Sequence, residues 1–169
     1  DIYQNEYLPE GGRDVNAVVT VTSAGAAGPA AEGDSAEIII VDCSGSMGNP
    51  RTKIAEARAA TAAAVDVIRD GVAFAVVAGT HQAVPVFPPD GGLAVANPEI
   101  RESAKRAVAR LQPDGGTAIG QWLRLAHQMF ASHRAQLRHA ILLTDGKDEH
   151  ETPDELGSAI RLCEGAFSC

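Results

Sequence analysis

Short apolar runs alternate with stretches of helical periodicity along most of the chain. The runs cover residues 37–41, 72–78 and 139–144 and are rich in Val, Ile, Leu and Ala. Nearly continuous apolar character over so few residues is typical of strands buried on both faces of a parallel sheet. A further short strand is predicted at 83–87, and Pro85 places it at a sheet edge because proline cannot donate a ladder hydrogen bond.

Helices are predicted between these strands. Apolar residues recur at helical spacing in residues 52–69, 98–111, 118–132 and from 153 onward. Asn97 followed by Pro98 has the sequence of a capped helix start, and Thr152 with Glu155 forms a capping box. Trp122 falls on the apolar stripe of its helix and is expected in the core. The alternation of strands and helices predicts an α/β fold with a doubly wound, mostly parallel sheet flanked by helices.

The first 35 residues follow a different pattern. Residues 15–22 alternate between apolar and polar positions, which predicts a half-buried strand, and residues 23–35 are rich in Gly, Ala and Pro, as in a linker. We therefore divide the chain into an N-terminal strand and linker at 1–35, belonging to an adjoining β-rich module, and a main domain at 36–169.

Composition narrows the possible functions. The net charge is −8, with 14 Lys and Arg against 22 Asp and Glu, which argues against a nucleic-acid partner because phosphate binding needs a basic surface. No stretch approaches the roughly 18 consecutive apolar residues of a membrane span. Cys43, Cys163 and Cys169 are too few for a disulfide framework and are expected as thiols, with a bridge between the last two left open. We expect a cytoplasmic fragment of a longer protein.

Oxygen-bearing side chains follow the predicted strands. Asp42, Ser44 and Ser46 alternate in the turn after the first core strand, Thr117 lies in a Gly-Gly-Thr loop, and Asp145 follows the strand at 139–144. Ligands of doubly wound sheets bind beyond the carboxyl ends of the strands, so these side chains are expected to meet at one edge. Carboxylates, hydroxyls and water suit Mg²⁺, a hard ion that prefers oxygen ligands.

The DxSxS sequence, the later Thr and the final Asp together resemble the von Willebrand factor type A family, of bacterial type, and its metal-ion-dependent adhesion site (MIDAS). The resemblance implies that Asp42, Ser44, Ser46, Thr117 and Asp145 bind Mg²⁺, or Mn²⁺ or Ca²⁺, directly or through water. It also implies a protein–protein interaction module in which a partner's Asp or Glu carboxylate completes the metal shell. Family members usually carry a further strand, helix and strand, which this chain is expected to lack.

Two other interpretations remain open. A metal-dependent hydrolase or phosphotransfer enzyme could use the same turn, although no phosphate-binding loop is present and Ser46 does not lie in a GxSxG elbow. The second interpretation is a metal-free scaffold of the same fold. The acidic stretch at 148–151 predicts a solvated loop rather than a second cation site, and Lys147 is a candidate for the rim of the metal site.

Overall fold

The computed structural model describes residues 2–4, 17–19, 34–144, 146 and 148–169. The strands of its main sheet are β3 (Ser35–Asp42), β4 (Ala73–Gly79), β5 (Ala83–Phe87), β6 (Ala94–Val95) and β7 (Leu137–Leu143). Their order in the sheet is β5-β4-β3-β7, and the short β6 pairs with β4. β3 is parallel to both β4 and β7, whereas β5 and β6 are antiparallel to β4. The predicted mostly parallel α/β sheet is therefore confirmed, with β5 at its edge.

Helices cover both faces of this sheet. They are α1 (Thr52–Val67), α2 (Pro98–Val108), α3 (Ile119–Ala131) and α4 (Pro153–Cys163). One layer of the core joins Ile39 and Val41 of β3 to α1 and α2. The other joins Ile38 and Ile40 to Trp122 and its neighbours on α3. Alternate side chains of the same strand thus serve opposite layers, which explains why the sequence of β3 is apolar throughout.

The caps read from the sequence are present. Asn97 Oδ1 accepts a hydrogen bond from the Ile100 amide at 2.9 Å. Thr152 and Glu155 form the reciprocal capping box at the start of α4. Trp122 is fully buried, and its Nε1 donates to the Thr80 carbonyl at 2.6 Å. The two caps fix where α2 and α4 begin, and the Trp122 hydrogen bond ties α3 to the residue that follows β4.

Two further strands pair outside the main sheet. β1 (Ile2–Gln4) and β2 (Ala17–Val19) are antiparallel, and β2 lies within the strand predicted at 15–22. Residues 23–33 of the predicted linker lie outside the described residues. At the other end of the chain, Ser168 forms a parallel bridge to His139 of β7, with its carbonyl accepting from Ala140 at 2.7 Å. Residues after α4 therefore contact the outer edge of β7.

Candidate metal centre

Asp42 is the last residue of β3 and is fully buried. Its Oδ1 accepts a hydrogen bond from the Ser44 amide at 2.8 Å, and its Oδ2 accepts one from Thr144 Oγ1 at 2.6 Å. Each carboxylate oxygen has a second acceptor direction beyond the bond described. The two bonds fix the orientation of the carboxylate and leave both oxygens able to bind a cation.

The turn after Asp42 brings two hydroxyls together. Ser44 is 2% exposed and lies just before a 3-10 turn at Gly45–Gly48. Its Oγ is 3.0 Å from Oγ of Ser46, which is exposed. Because the turn folds back on itself, side chains two residues apart point to the same side. The turn therefore brings the two hydroxyls to the same side, next to the end of β3.

Cys43 lies between these residues but faces the core, where it is 1% exposed. Burial first, and then the neighbouring Asp42 carboxylate, raise the pKa of the Cys43 thiol from 9.0 to about 11, while the positive charge of Arg58 acts in the opposite direction. At neutral pH Cys43 is therefore a protonated thiol packed in the core. The guanidinium of Arg58 is close enough to this turn to act electrostatically on the Cys43 thiol.

Thr117 reaches the same region from the loop between α2 and α3. The amide of Gly45 donates to the carbonyl of Gly115 at 2.9 Å, which ties this loop to the turn after β3. The Thr117 amide donates to His150 Nδ1 at 3.2 Å, and its carbonyl accepts from the amides of Glu149 and His150 at 3.1 and 3.0 Å. Thr117 is 3% exposed, so its hydroxyl is held in a buried, fixed position.

Gly146 marks the point where three segments converge. A Cβ atom added to Gly146 would lie 3.5 Å from Asp42 Oδ2 and 3.8 Å from Oγ1 of both Thr117 and Thr144. Oxygens from the end of β3, the α2–α3 loop and the end of β7 thus surround one small volume. The expected meeting of Asp42 and Thr117 is seen here, whereas Asp145 and Lys147 lie outside the described residues.

Within the described ranges, the carboxylate of Asp42 is not paired with a cationic side chain. A buried carboxylate is normally paired with a cation or coordinated to a metal, because removing its charge from water is costly. Asp42, Ser44, Ser46 and Thr117 supply the carboxylate-and-hydroxyl set that suits Mg²⁺. The described part of the site therefore fits a divalent ion.

The acidic stretch at 148–151 is only partly solvated. Asp148 Oδ1 accepts from the amides of His150 and Glu151, while its Oδ2 is buried without a hydrogen-bond partner. Glu151 accepts a hydrogen bond from the Gly120 amide at the start of α3. No group of three or more His, Cys, Asp or Glu side chains within the described ranges is arranged to hold a metal. Glu151 therefore ties this loop to α3, and Asp148 holds the loop's own backbone.

Sequence reasoning missed two residues that shape the site. Thr144 ends the strand predicted at 139–144, and its hydroxyl donates to Asp42. His150 lies in the acidic stretch at 148–151, and its ring accepts from the Thr117 amide and would overlap a Cβ on Gly116. Only a residue without a side chain fits there. The position of Thr144 at the end of an apolar strand was a usable signal, but nothing in the sequence links His150 to Thr117.

Comparison with known proteins identifies the family. The von Willebrand factor type A domain family model matches residues 38–147, and the chain belongs to this family. A von Willebrand factor type A structure from Catenulispora acidiphila is 50% identical, with a TM-score of 0.78, over 80% of this chain and 32% of that chain. An uncharacterized protein of Synechocystis sp. is 31% identical over 120 residues, which are 69% of this chain and 26% of that protein.

A third relative bears on the metal. Proximal thread matrix protein 1 from the mussel byssus, in a structure titled as having a zinc-occupied MIDAS motif, is 26% identical with a TM-score of 0.60 over 80% of this chain and 34% of that chain. The present chain thus spans about a quarter to a third of the length of these three relatives.

Within the described ranges, no helix is long and apolar enough to cross a bilayer.

Proposed function

We propose that this domain is a divalent-metal-dependent protein–protein interaction module. Asp42, Ser44, Ser46, Thr117 and Asp145 would hold Mg²⁺ or a similar ion, directly or through water. The bound ion supplies an electrophile with one coordination position for a carboxylate oxygen of an Asp or Glu side chain on the partner. The two aspartates balance the charge of a divalent ion, so the partner's carboxylate adds the only net negative charge.

One observation carries this proposal: a fully buried carboxylate, Asp42, without an ion-pair partner in the described part of the chain. Its hydrogen bonds come from an amide and a hydroxyl, which orient the carboxylate without neutralising it. Burying an unpaired carboxylate destabilises the folded protein, and a bound cation would offset that destabilisation. The zinc-occupied MIDAS motif of the mussel protein supports the same interpretation by likeness.

The arrangement favours binding over hydrolysis. A serine nucleophile needs a general base within hydrogen-bond reach. The Nδ1 of His150, which lies beside the site, accepts a hydrogen bond from the Thr117 amide. The ring therefore supports the loop. We accordingly assign no catalytic residue.

Metal binding is tested by thermal unfolding in EDTA and in millimolar Mg²⁺ or Mn²⁺. An ion at about 100 times its dissociation constant stabilises the folded state by roughly 2.7 kcal/mol, which raises the melting temperature by about 5–10 °C in a domain of this size. Thr117→Val keeps the shape of the side chain but removes the ligand oxygen, so most of this rise is expected to disappear.

Thr61→Val is the matched control. Thr61 is also a buried threonine, but its hydroxyl donates to the Ala57 carbonyl within α1. This variant is expected to unfold at a different temperature while keeping the full response to metal. Equal metal responses in the two variants would count against Thr117 as a ligand, and no response in the unmodified protein would defeat the proposed function.

Carboxylate binding is tested separately with acetate. In protein loaded with Mn²⁺, an acetate oxygen that enters the metal shell brings the methyl protons close to a paramagnetic ion, so their transverse relaxation accelerates in proportion to the bound fraction. The enhancement is expected to vanish with excess EDTA or with Thr117→Val. Metal-dependent stabilisation without acetate relaxation would contradict the interaction mechanism while leaving the metal site in place.

A further inference from the structure

A cavity lies beside the candidate metal site. It has a volume of about 410 Å³ and is lined by Gly48, Arg51, Ile54, Arg58, Gln112 and Pro113. We propose that this cavity binds a second acidic side chain on the same partner segment whose first carboxylate binds the metal. The inference rests on the proposed function and specifies the partner further, as a segment with two acidic residues close together.

The cavity and the metal site share two loops. Gly48 follows Ser46 by two residues, and two residues span at most about 7 Å. Pro113 precedes Thr117 in the loop between α2 and α3, and a Cβ on Gly48 would lie 3.5 Å from Pro113 Cβ. The wall of the cavity is therefore continuous with the segments that carry the metal-site hydroxyls, and a short extended peptide can reach both.

The two arginines are placed differently. Arg58 is half-buried and its Nε donates to the Leu111 carbonyl at 2.9 Å, with Nη2 contacting the same oxygen. This holds the guanidinium in place and leaves three of its five N–H groups for a ligand. Arg51 is exposed and has no hydrogen-bond or ionic partner among the described residues. Arg58 is thus held in place at the wall of the cavity, whereas the exposed side chain of Arg51 can move to meet a ligand.

Charge identifies the occupant as a carboxylate. The protein has a net charge of −8, so an acidic peptide is repelled from most of its surface and attracted where arginines lack acidic partners. A guanidinium donates two parallel hydrogen bonds to a carboxylate. Asp114, which follows Pro113, is exposed but does not line the cavity. The cavity therefore combines a compact anion-binding geometry with proximity to the metal.

The test uses two series of synthetic peptides titrated into the whole chain in Mg²⁺. The first series has one Asp and one Glu separated by one to three glycines, and in the second the Glu is replaced by Gln. We expect the best two-acid peptide to bind three- to tenfold tighter than its one-acid counterpart. The preference should fall to less than twofold in Arg51→Gln and in Arg58→Gln. Arg161→Gln on α4 changes the charge equally and should keep the preference.

The outcomes separate this inference from the metal mechanism. Equal binding of both peptide series, or an unchanged preference in Arg51→Gln and Arg58→Gln, would overturn the second subsite while leaving the metal site intact. If neither series binds in Mg²⁺, the proposed function fails, and the cavity is examined alone by titrating glutarate in EDTA. Shifts of the Gly48 and Gln112 amide resonances that vanish in the Arg51→Gln and Arg58→Gln double variant would support the anion site; absence of shifts would overturn it.

Discussion

Asp42 and Glu151 are carboxyl groups on the same side of the molecule that are stabilised in opposite ways. Asp42 is fully buried and receives an amide and a hydroxyl hydrogen bond, with no cation paired to it in the described ranges. Glu151 is partly buried beside the acidic Asp148, and burial first, then that neighbour, raise the pKa of Glu151 above its ordinary value. The first site favours a cation, whereas the second favours a proton. Proximity to the metal centre alone does not make a carboxylate a ligand.

The largest expected effect is at Asp42, where replacement by Asn is expected to stabilise the protein in EDTA and to destabilise it in Mg²⁺. Asp42→Asn removes a buried charge and keeps the size of the side chain, so in EDTA we expect the free energy of unfolding to rise by about 1–3 kcal/mol. At Mg²⁺ about 1,000 times its dissociation constant, the unmodified protein gains roughly 4.1 kcal/mol that the variant does not, which makes the variant the less stable of the two. Urea unfolding in both buffers measures the two values.

Asp66→Asn is the control for this reversal. Asp66 is 55% exposed and pairs with Lys105 on the surface of α1, so its replacement should change stability by less than about 1 kcal/mol and leave the metal response intact. A fall in the stability of Asp42→Asn in EDTA would show that the charge of Asp42 is compensated without a metal, and the contrast with Glu151 would not hold.

A smaller effect is expected at Glu151, where the readout is pH. Because its folded pKa is raised above 4.5, its contribution to stability is full below that pH and is lost as pH rises through the folded pKa. In EDTA, the unmodified protein should therefore lose stability relative to Glu151→Gln between pH 4 and pH 7. Urea unfolding at half-unit pH steps measures the difference.

Glu155 offers a control with the opposite sign. Hydrogen bonds from the Thr152 amide and hydroxyl lower the pKa of Glu155, so its contribution is present above pH 4.5 and is lost as pH falls through the folded pKa. The free energy of unfolding of the unmodified protein should therefore increase relative to that of Glu155→Gln as pH rises. Parallel pH curves for the two variants would contradict the contrast drawn between them.

The sequence predicted that β3 and β4 are buried because both are largely apolar, whereas β7, also predicted as buried, is only partly so. Asp42 is the last residue of β3, so its place at the edge of the sheet follows from the same local pattern. β6 at Ala94–Val95 was not predicted, since two residues carry no periodic signal. The contact between His150 and Thr117 joins residues 33 positions apart, and only the assembled fold brings them together. Whether Asp145 completes the metal shell remains a prediction, because it lies outside the described residues.

The smallest effect is expected from a single methyl group at Gly146. The backbone of this residue is not in the left-handed region, so Gly146→Ala should change the free energy of unfolding in EDTA by no more than about 0.5 kcal/mol. Its methyl would lie 3.5–3.8 Å from Asp42 Oδ2, Thr117 Oγ1 and Thr144 Oγ1, and it would narrow the space between them. Mg²⁺ affinity, measured by calorimetric titration, should fall by about three- to tenfold, equivalent to about 0.6–1.4 kcal/mol.

Gly157→Ala within α4 is the control. It should raise the free energy of unfolding, because alanine favours a helix, and leave the Mg²⁺ affinity unchanged. An unchanged affinity in Gly146→Ala would place the ion away from these three oxygens, and Asp42 would then need a different explanation for its buried charge.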